Sequence, residues 1–191
     1  MNKGRLEAFS DGVFAVIITI MVLDLKVPRG ADWAALGPLL PVFLTYILSF
    51  IFIGIYWTNH HHTLQATTHI NGTILWANLH LLFWLSLVPF VTGWMGENHF
   101  ASVPTAVYGA VLFMCAIAFT ILARRIIAHE GVHSRLAHAL GSDLKSRLSL
   151  GLYALAIPLA FAHQAIADAI YVTVALIWFI PDRRIESAMN S

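Results

Sequence analysis

Residues 36–59 read LGPLLPVFLTYILSFIFIGIYWTN, and no Asp, Glu, Lys or Arg interrupts them. A helix of about 20 apolar residues crosses the hydrocarbon layer of a bilayer, about 30 Å thick, so this run is long enough to span it. The same quality extends outward on both sides. Residues 33–123 contain one such charged residue, Glu97, and residues 148–181 contain one, Asp168. Long uncharged blocks separated by short polar joints predict a polytopic membrane protein. No ten-residue alternation of apolar and polar side chains recurs, so the spans are helices and the fold class is all-α.

Composition agrees. Of the 191 residues, 59% are hydrophobic and 11% charged, and mean hydropathy is +0.75. A soluble domain carries about 25% charge, and disorder needs low hydrophobicity with high charge; both classes are excluded. Six spans are expected, at about Leu6–Leu25, Leu36–Asn59, Asn71–Trp94, Ala101–Ala123, Leu148–Ala162 and Ala165–Ile180, with a loop over 124–147. They form one domain over residues 1–191 and leave no room for a soluble catalytic domain. The last two spans are short, which calls for a thin membrane region or shelter by neighbouring helices. The net charge of +1 gives no bulk attraction to nucleic acid. Cys115 is the single cysteine, so there is no disulfide framework. Lys3 and Arg5 precede the first apolar run, but Asp24, Lys26 and Pro28 follow it where a cleavage site would need small residues; the first segment reads as a retained signal-anchor.

Orientation follows from the basic residues. With the N-terminus inside, Lys3, Arg5, Arg124, Arg125, Arg135, Lys145, Arg147, Arg183 and Arg184 lie on the cytoplasmic side and only Lys26 and Arg29 opposite. That bias puts both termini in the cytoplasm.

The first span carries the unusual chemistry. Asp11 and Asp24 are separated by about 20 Å of helix, less than the hydrocarbon thickness, so at least one carboxylate lies at or near membrane depth. An ionisable group there is a functional candidate unless paired or wet. The plainer reading is that Ser10 and Asp11 cap a helix start. At 100° per residue, Val16, Thr19, Ile20 and Leu23 share an arc of about 100°, and Asp11 points about 140° away from Val16. On composition alone the arc is ordinary helix packing or lipid contact, and Thr19 can bond its own backbone. The second span ends in Tyr56-Trp57-Thr58-Asn59-His60-His61-His62, and the third holds Asn78, His80 and Pro89. Arg5 or a histidine can meet Asp11 there, with Trp57 and Asn78 as further donors; a solvated interfacial cluster is an equal alternative.

Ten histidines invite a metal reading. Three adjacent ones, His60 to His62, point in three directions on a helix, and the His-x-x-His-His pattern of membrane di-metal oxygenases is absent. His129, His133 and His138 fall in the long loop. Structural or interfacial roles are favoured over ligation. His163, Gln164 and Asp168 flank the last joint as a solvated turn or, less plainly, a relay. No phosphate-binding loop or nucleophile elbow occurs.

Arg5-x-x-x-Phe9-Ser10-Asp11, followed by the run from Ala15 to Leu23, resembles the first helix of the prokaryotic homologues of transmembrane protein 175, the endolysosomal potassium channel family. Trp57-Thr-Asn-His60-His61 and the segment from Asn78 to Leu87-Val-Pro89-Phe90 are similar to that family's second and third helices. The resemblance covers about the first half of the chain in motif and the whole chain in helix count. It implies a homotetrameric, potassium-permeable cation channel without a re-entrant pore loop. The first helices line the pore, with apolar layers at Val16, Ile20 and Leu23 and a pore hydroxyl at Thr19. It further implies an intrasubunit network of Arg5, Phe9, Ser10, Asp11, Trp57, His61 and Asn78. No cofactor and no metal are implied; potassium ions are the permeant species and the lipid bilayer the surroundings. The family's tightest layer is usually Ile or Leu, and valine here would make a smaller ring that leaks more readily or selects less well. Rival classes are a proton-coupled transporter built on Asp11 and the histidines, and a histidine-rich membrane metalloenzyme.

Overall fold

The computed structural model describes residues 2–131, Ala137 and 144–179, and every regular element among them is helical. The helices are α1 (Lys3–Leu23), α2 (Leu40–Gln65), α3 (Gly72–Leu85), α4 (Val88–Glu97), α5 (Ser102–Glu130), α6 (Leu144–Ala162) and α7 (Gln164–Phe179). A 3₁₀ helix, Trp33–Leu39, leads into α2. Five helical stretches are long and apolar enough to cross a membrane, with α7 a shorter apolar helix.

Local sequence sets the boundaries. Asn2 caps α1 by accepting from the Gly4 N–H at 3.0 Å, so the capping reading of Ser10 and Asp11 fails: both lie well inside the helix. Asp32 and Asn71 cap the 3₁₀ helix and α3 in the same way. Pro41 sits in the first turn of α2 and Pro89 in that of α4, where a missing N–H costs nothing. Pro89 divides the expected third span into α3 and α4, which together still make one crossing. The expected loop over 124–147 is shorter than the spacing suggested. α5 continues through Arg124 and Arg125 to Glu130, and α6 begins at Leu144 rather than Leu148. Arginine is a good helix former, so loss of hydropathy marks where a helix leaves the lipid and not where it stops. Of the expected loop, 132–136 and 138–143 lie outside the described residues.

α5 is the central post, packed against α3, α4, α6 and α7, while α1 lies on α2, α3 and α4. Leu112, Cys115, Ala118 and Leu122 of α5 are fully buried. Two glycines set close approaches. A Cβ on Gly96 would lie 2.7 Å from the Val42 Cα and 2.5 Å from the Thr45 hydroxyl, which fixes the end of α4 on α2. A Cβ on Gly109 would collide with the Tyr171 hydroxyl, which donates to the Thr105 carbonyl at 3.0 Å. Gly109→Ala therefore displaces Tyr171 and breaks that bond. We expect a loss of about 1–3 kcal/mol, the usual cost of overpacking, read as a lower thermal midpoint of the detergent-solubilised protein. An unchanged midpoint would show that α7 docks without this contact.

Candidate functional site

The inward stripe of α1 is Leu6, Ser10, Phe14, Ile17 and Met21, all buried at i, i+3 and i+4 spacing. With that stripe fixed against α2, α3 and α4, the other side of α1 must face away from the chain. Val16 is 55% exposed, Ile20 44% and Leu23 82%; Thr19, Arg5, Gly12 and Ala15 are exposed as well. The arc drawn from angle alone is thus a continuous unpartnered face. Phe9, 54% exposed, extends it toward Arg5. Thr19 donates its hydroxyl to the Val16 carbonyl at 2.9 Å, three residues back. With the proton spent on the backbone, its oxygen lone pairs remain available on the exposed side.

The buried stripe carries the polar network. Ser10 donates to the Leu6 carbonyl at 2.8 Å, so its oxygen is left to accept from the Asn78 side-chain N–H at 3.0 Å. That turns the Asn78 carbonyl toward His60 Nε2, 2.6 Å away. His60 must therefore be the donor, with its proton on Nε2. Ser10, Asn78 and His60 are all at most 1% exposed. A second link lies nearer solvent: Trp57 donates its indole N–H to Asp11 Oδ1 at 2.9 Å, and His61 stacks on the Trp57 ring with centroids 6.0 Å apart.

Ser10, Asp11, Trp57, His61 and Asn78 thus converge on α1. Arg5 and Phe9 do not join them; the Arg5 guanidinium makes no hydrogen bond or ion pair among the described residues. His60 is the member that the sequence reading left out. Its signal was present: the hydroxyl-bearing Thr45 and Ser49 begin the buried stripe of α2, and 3.6-residue spacing carries that stripe to His60 rather than His61. Ser49 belongs to a separate cluster, with Tyr108 at 3.0 Å and Thr92 at 2.7 Å.

The remaining candidates are dispersed. Among the described residues no three His, Cys, Asp or Glu side chains gather as a metal site; His133 and His138 lie outside the described residues. His80 accepts from Trp84 at 3.0 Å, and His129 pairs with Asn71 at 3.3 Å. Gln164 donates to Ser102 rather than to Asp168. One oxygen of Asp168 is buried without a partner, so no relay with His163 is assembled.

Residues 5–89 match the family model described as endosomal/lysosomal potassium channel TMEM175. A protein named as a potassium channel from Chryseobacterium sp. is 58% identical over all of this chain and 99% of its own length. Another so named, from Streptomyces collinus, is 35% identical over 90% of this chain and 92% of its own. The crystal structure of a lysosomal potassium-selective channel TMEM175 homologue from Chamaesiphon minutus superposes with a TM-score of 0.80 at 29% identity, covering 94% of this chain and 97% of that one. With near-complete coverage in both sequence and structure, and with the buried contacts of α1 described above, the chain belongs to the TMEM175 family.

Proposed function

We propose that the chain is a potassium-permeable cation channel. Four copies assemble about a central axis, and their α1 helices line a passive pore in the plasma membrane of a prokaryote, with both termini cytoplasmic. Val16, Ile20 and Leu23 form apolar layers, and Thr19 supplies a ring of hydroxyl oxygens. Apolar rings of this kind gate by dewetting, and hydroxyl oxygens replace part of an ion's lost hydration. No catalytic step and no cofactor enter this reading.

The observation that carries it is the face of α1. Its stripe of Val16, Thr19, Ile20 and Leu23 is left exposed by the described residues, although the opposite stripe is packed and pinned by the hydrogen bonds of Ser10. Gly12 strengthens the case: a Cβ there would meet nothing within 4 Å. Space inside the chain thus gives no reason for a glycine, whereas small residues let neighbouring membrane helices approach closely. The network of Ser10, Asn78 and His60 fixes the rotation of α1 and so the aim of the pore residues. Asp11, Trp57 and His61 brace the same end, and Arg5 and Phe9 continue the pore face inward.

Potassium-loaded proteoliposomes test the proposal. We expect the purified protein to release potassium down its gradient without ATP, in proportion to protein per vesicle. Tight vesicles under a range of pH and voltage would remove the channel reading. Flux that saturates with a second solute and collapses in Asp11→Asn would favour a proton-coupled transporter.

A further inference from the structure

A cavity of about 610 Å³ opens between the C-terminal ends of α1 and α4 and the start of α2. Most of its wall is hydrocarbon, from Leu25, Leu36, Leu39, Leu40 and Phe43. The polar groups in it are few: Asp24, Lys26, Glu97 and His99. Small-molecule sites have this make-up, apolar cavities of roughly 300–1,000 Å³ with a few placed polar groups. The wall is held in place, because Gly96 seats the end of α4 directly on Val42 and Thr45 of α2.

The charge in the cavity is one-sided. Asp24 is the C-cap of α1, and Glu97 is the last residue of α4. Helix C-termini carry about half a negative charge, so both carboxylates add to the local potential instead of offsetting it. Lys26 is the one opposing group lining the space besides His99, and its ammonium is committed to Glu97 at 2.6 Å. The Asp24 carboxylate has no hydrogen-bond or ion-pair partner among the described residues. Glu97 is also the single Asp, Glu, Lys or Arg in residues 33–123, and the apolar layers of α1 leave it without a role.

We infer that each chain carries, beside the end of α1, a binding site for a lipophilic organic cation, with Asp24 facing the positive charge and the leucines and Phe43 facing its alkyl groups. A bare metal ion would gain nothing from the hydrocarbon walls, and a neutral apolar molecule nothing from the carboxylate; an amine or quaternary ammonium with alkyl arms uses both. The site does not depend on whether α1 conducts ions.

Calorimetric titration of the purified full-length protein with tetrabutylammonium tests this, at pH 8, where an ordinary imidazole is neutral. We expect one ion bound per chain, and much weaker binding of tetramethylammonium, which cannot fill the walls. Asp24→Asn should weaken tetrabutylammonium binding about fivefold to tenfold. Leu40→Trp, which fills the cavity, should abolish it. Lys26→Gln removes the opposing charge and should tighten binding roughly twofold to fivefold, a gain that a folding defect cannot produce. The site is overturned by an absence of binding, by one ion per four chains as a shared axial position would give, or by affinities indifferent to the three substitutions.

Discussion

Val16→Asn raises potassium flux by about tenfold or more and lowers the preference for potassium over sodium; this is the largest functional change expected from a single substitution in the chain. A ring of apolar side chains resists passage chiefly because water leaves the constriction. Asparagine is close to valine in size, but each amide both donates and accepts, so several copies around an axis hold water in place. Removing about 1.4 kcal/mol from the barrier is enough for a tenfold rise. The measurement is single-channel or vesicle flux in potassium and in sodium. Conductance and selectivity identical to those of the parent would place Val16 against lipid or a neighbouring helix and remove it from the pore.

Asn78→Leu carries the largest expected cost in stability. The substitution keeps the number and branching of side-chain heavy atoms but deletes both halves of the amide, which are fully buried between Ser10 and His60. Ser10 loses little, since its own proton stays on the Leu6 carbonyl. His60 loses its one hydrogen-bonding partner among the described residues, in a buried setting beside Phe14, whose ring centroid lies 5.5 Å away. An unsatisfied buried donor costs about 1–3 kcal/mol on top of the lost bonds, so a total of about 3 kcal/mol is expected. It should appear as a thermal midpoint several degrees lower and as a change in flux, because α1 is then free to rotate. Trp57→Phe is the milder companion. It keeps an aromatic ring near His61, trims the indole to a benzene ring and removes the N–H from Asp11, in a half-exposed position where one hydrogen bond is worth about 1 kcal/mol. Equal effects from the two substitutions would mean that the buried and the exposed links are not separate supports.

Much of this was legible in the residue order. The uncharged runs dictate that the chain is a multi-pass helical membrane protein, because burying a charge in hydrocarbon costs too much to be hidden by context; of the six spans expected, five are long enough by themselves and the last is a shorter apolar helix. Angular spacing grouped Val16, Thr19, Ile20 and Leu23, and that grouping needed no partner helix, since 100° per residue is a property of the helix itself. Helix ends were less legible. α5 runs on to Glu130 through two arginines because helix propensity and hydropathy are different quantities, and hydropathy was the one being read. The interruption at Leu87 follows from Pro89, whose ring and missing N–H are accommodated at least cost in the first turn of a new helix.

The local motif Trp57-Thr-Asn-His60-His61 does not separate His60 from His61; the stripe begun by Thr45 and Ser49 favours His60 only once it is known to face inward. Each lies 100° from the other on α2, and only the rotation of α2 against α1 and α3 decides which one reaches Asn78. The capping role first available to Asp11 disappeared for a similar reason, once Asn2 proved to start the helix and Trp57 of another helix came within 2.9 Å. By itself the sequence determined the class of solvent and the side chains that share a face, both consequences of hydropathy and helical pitch within one segment. The tertiary structure alone decided which face of α1 is pinned inward and which is left open, because that depends on hydrogen bonds between helices whose relative rotation no single segment encodes.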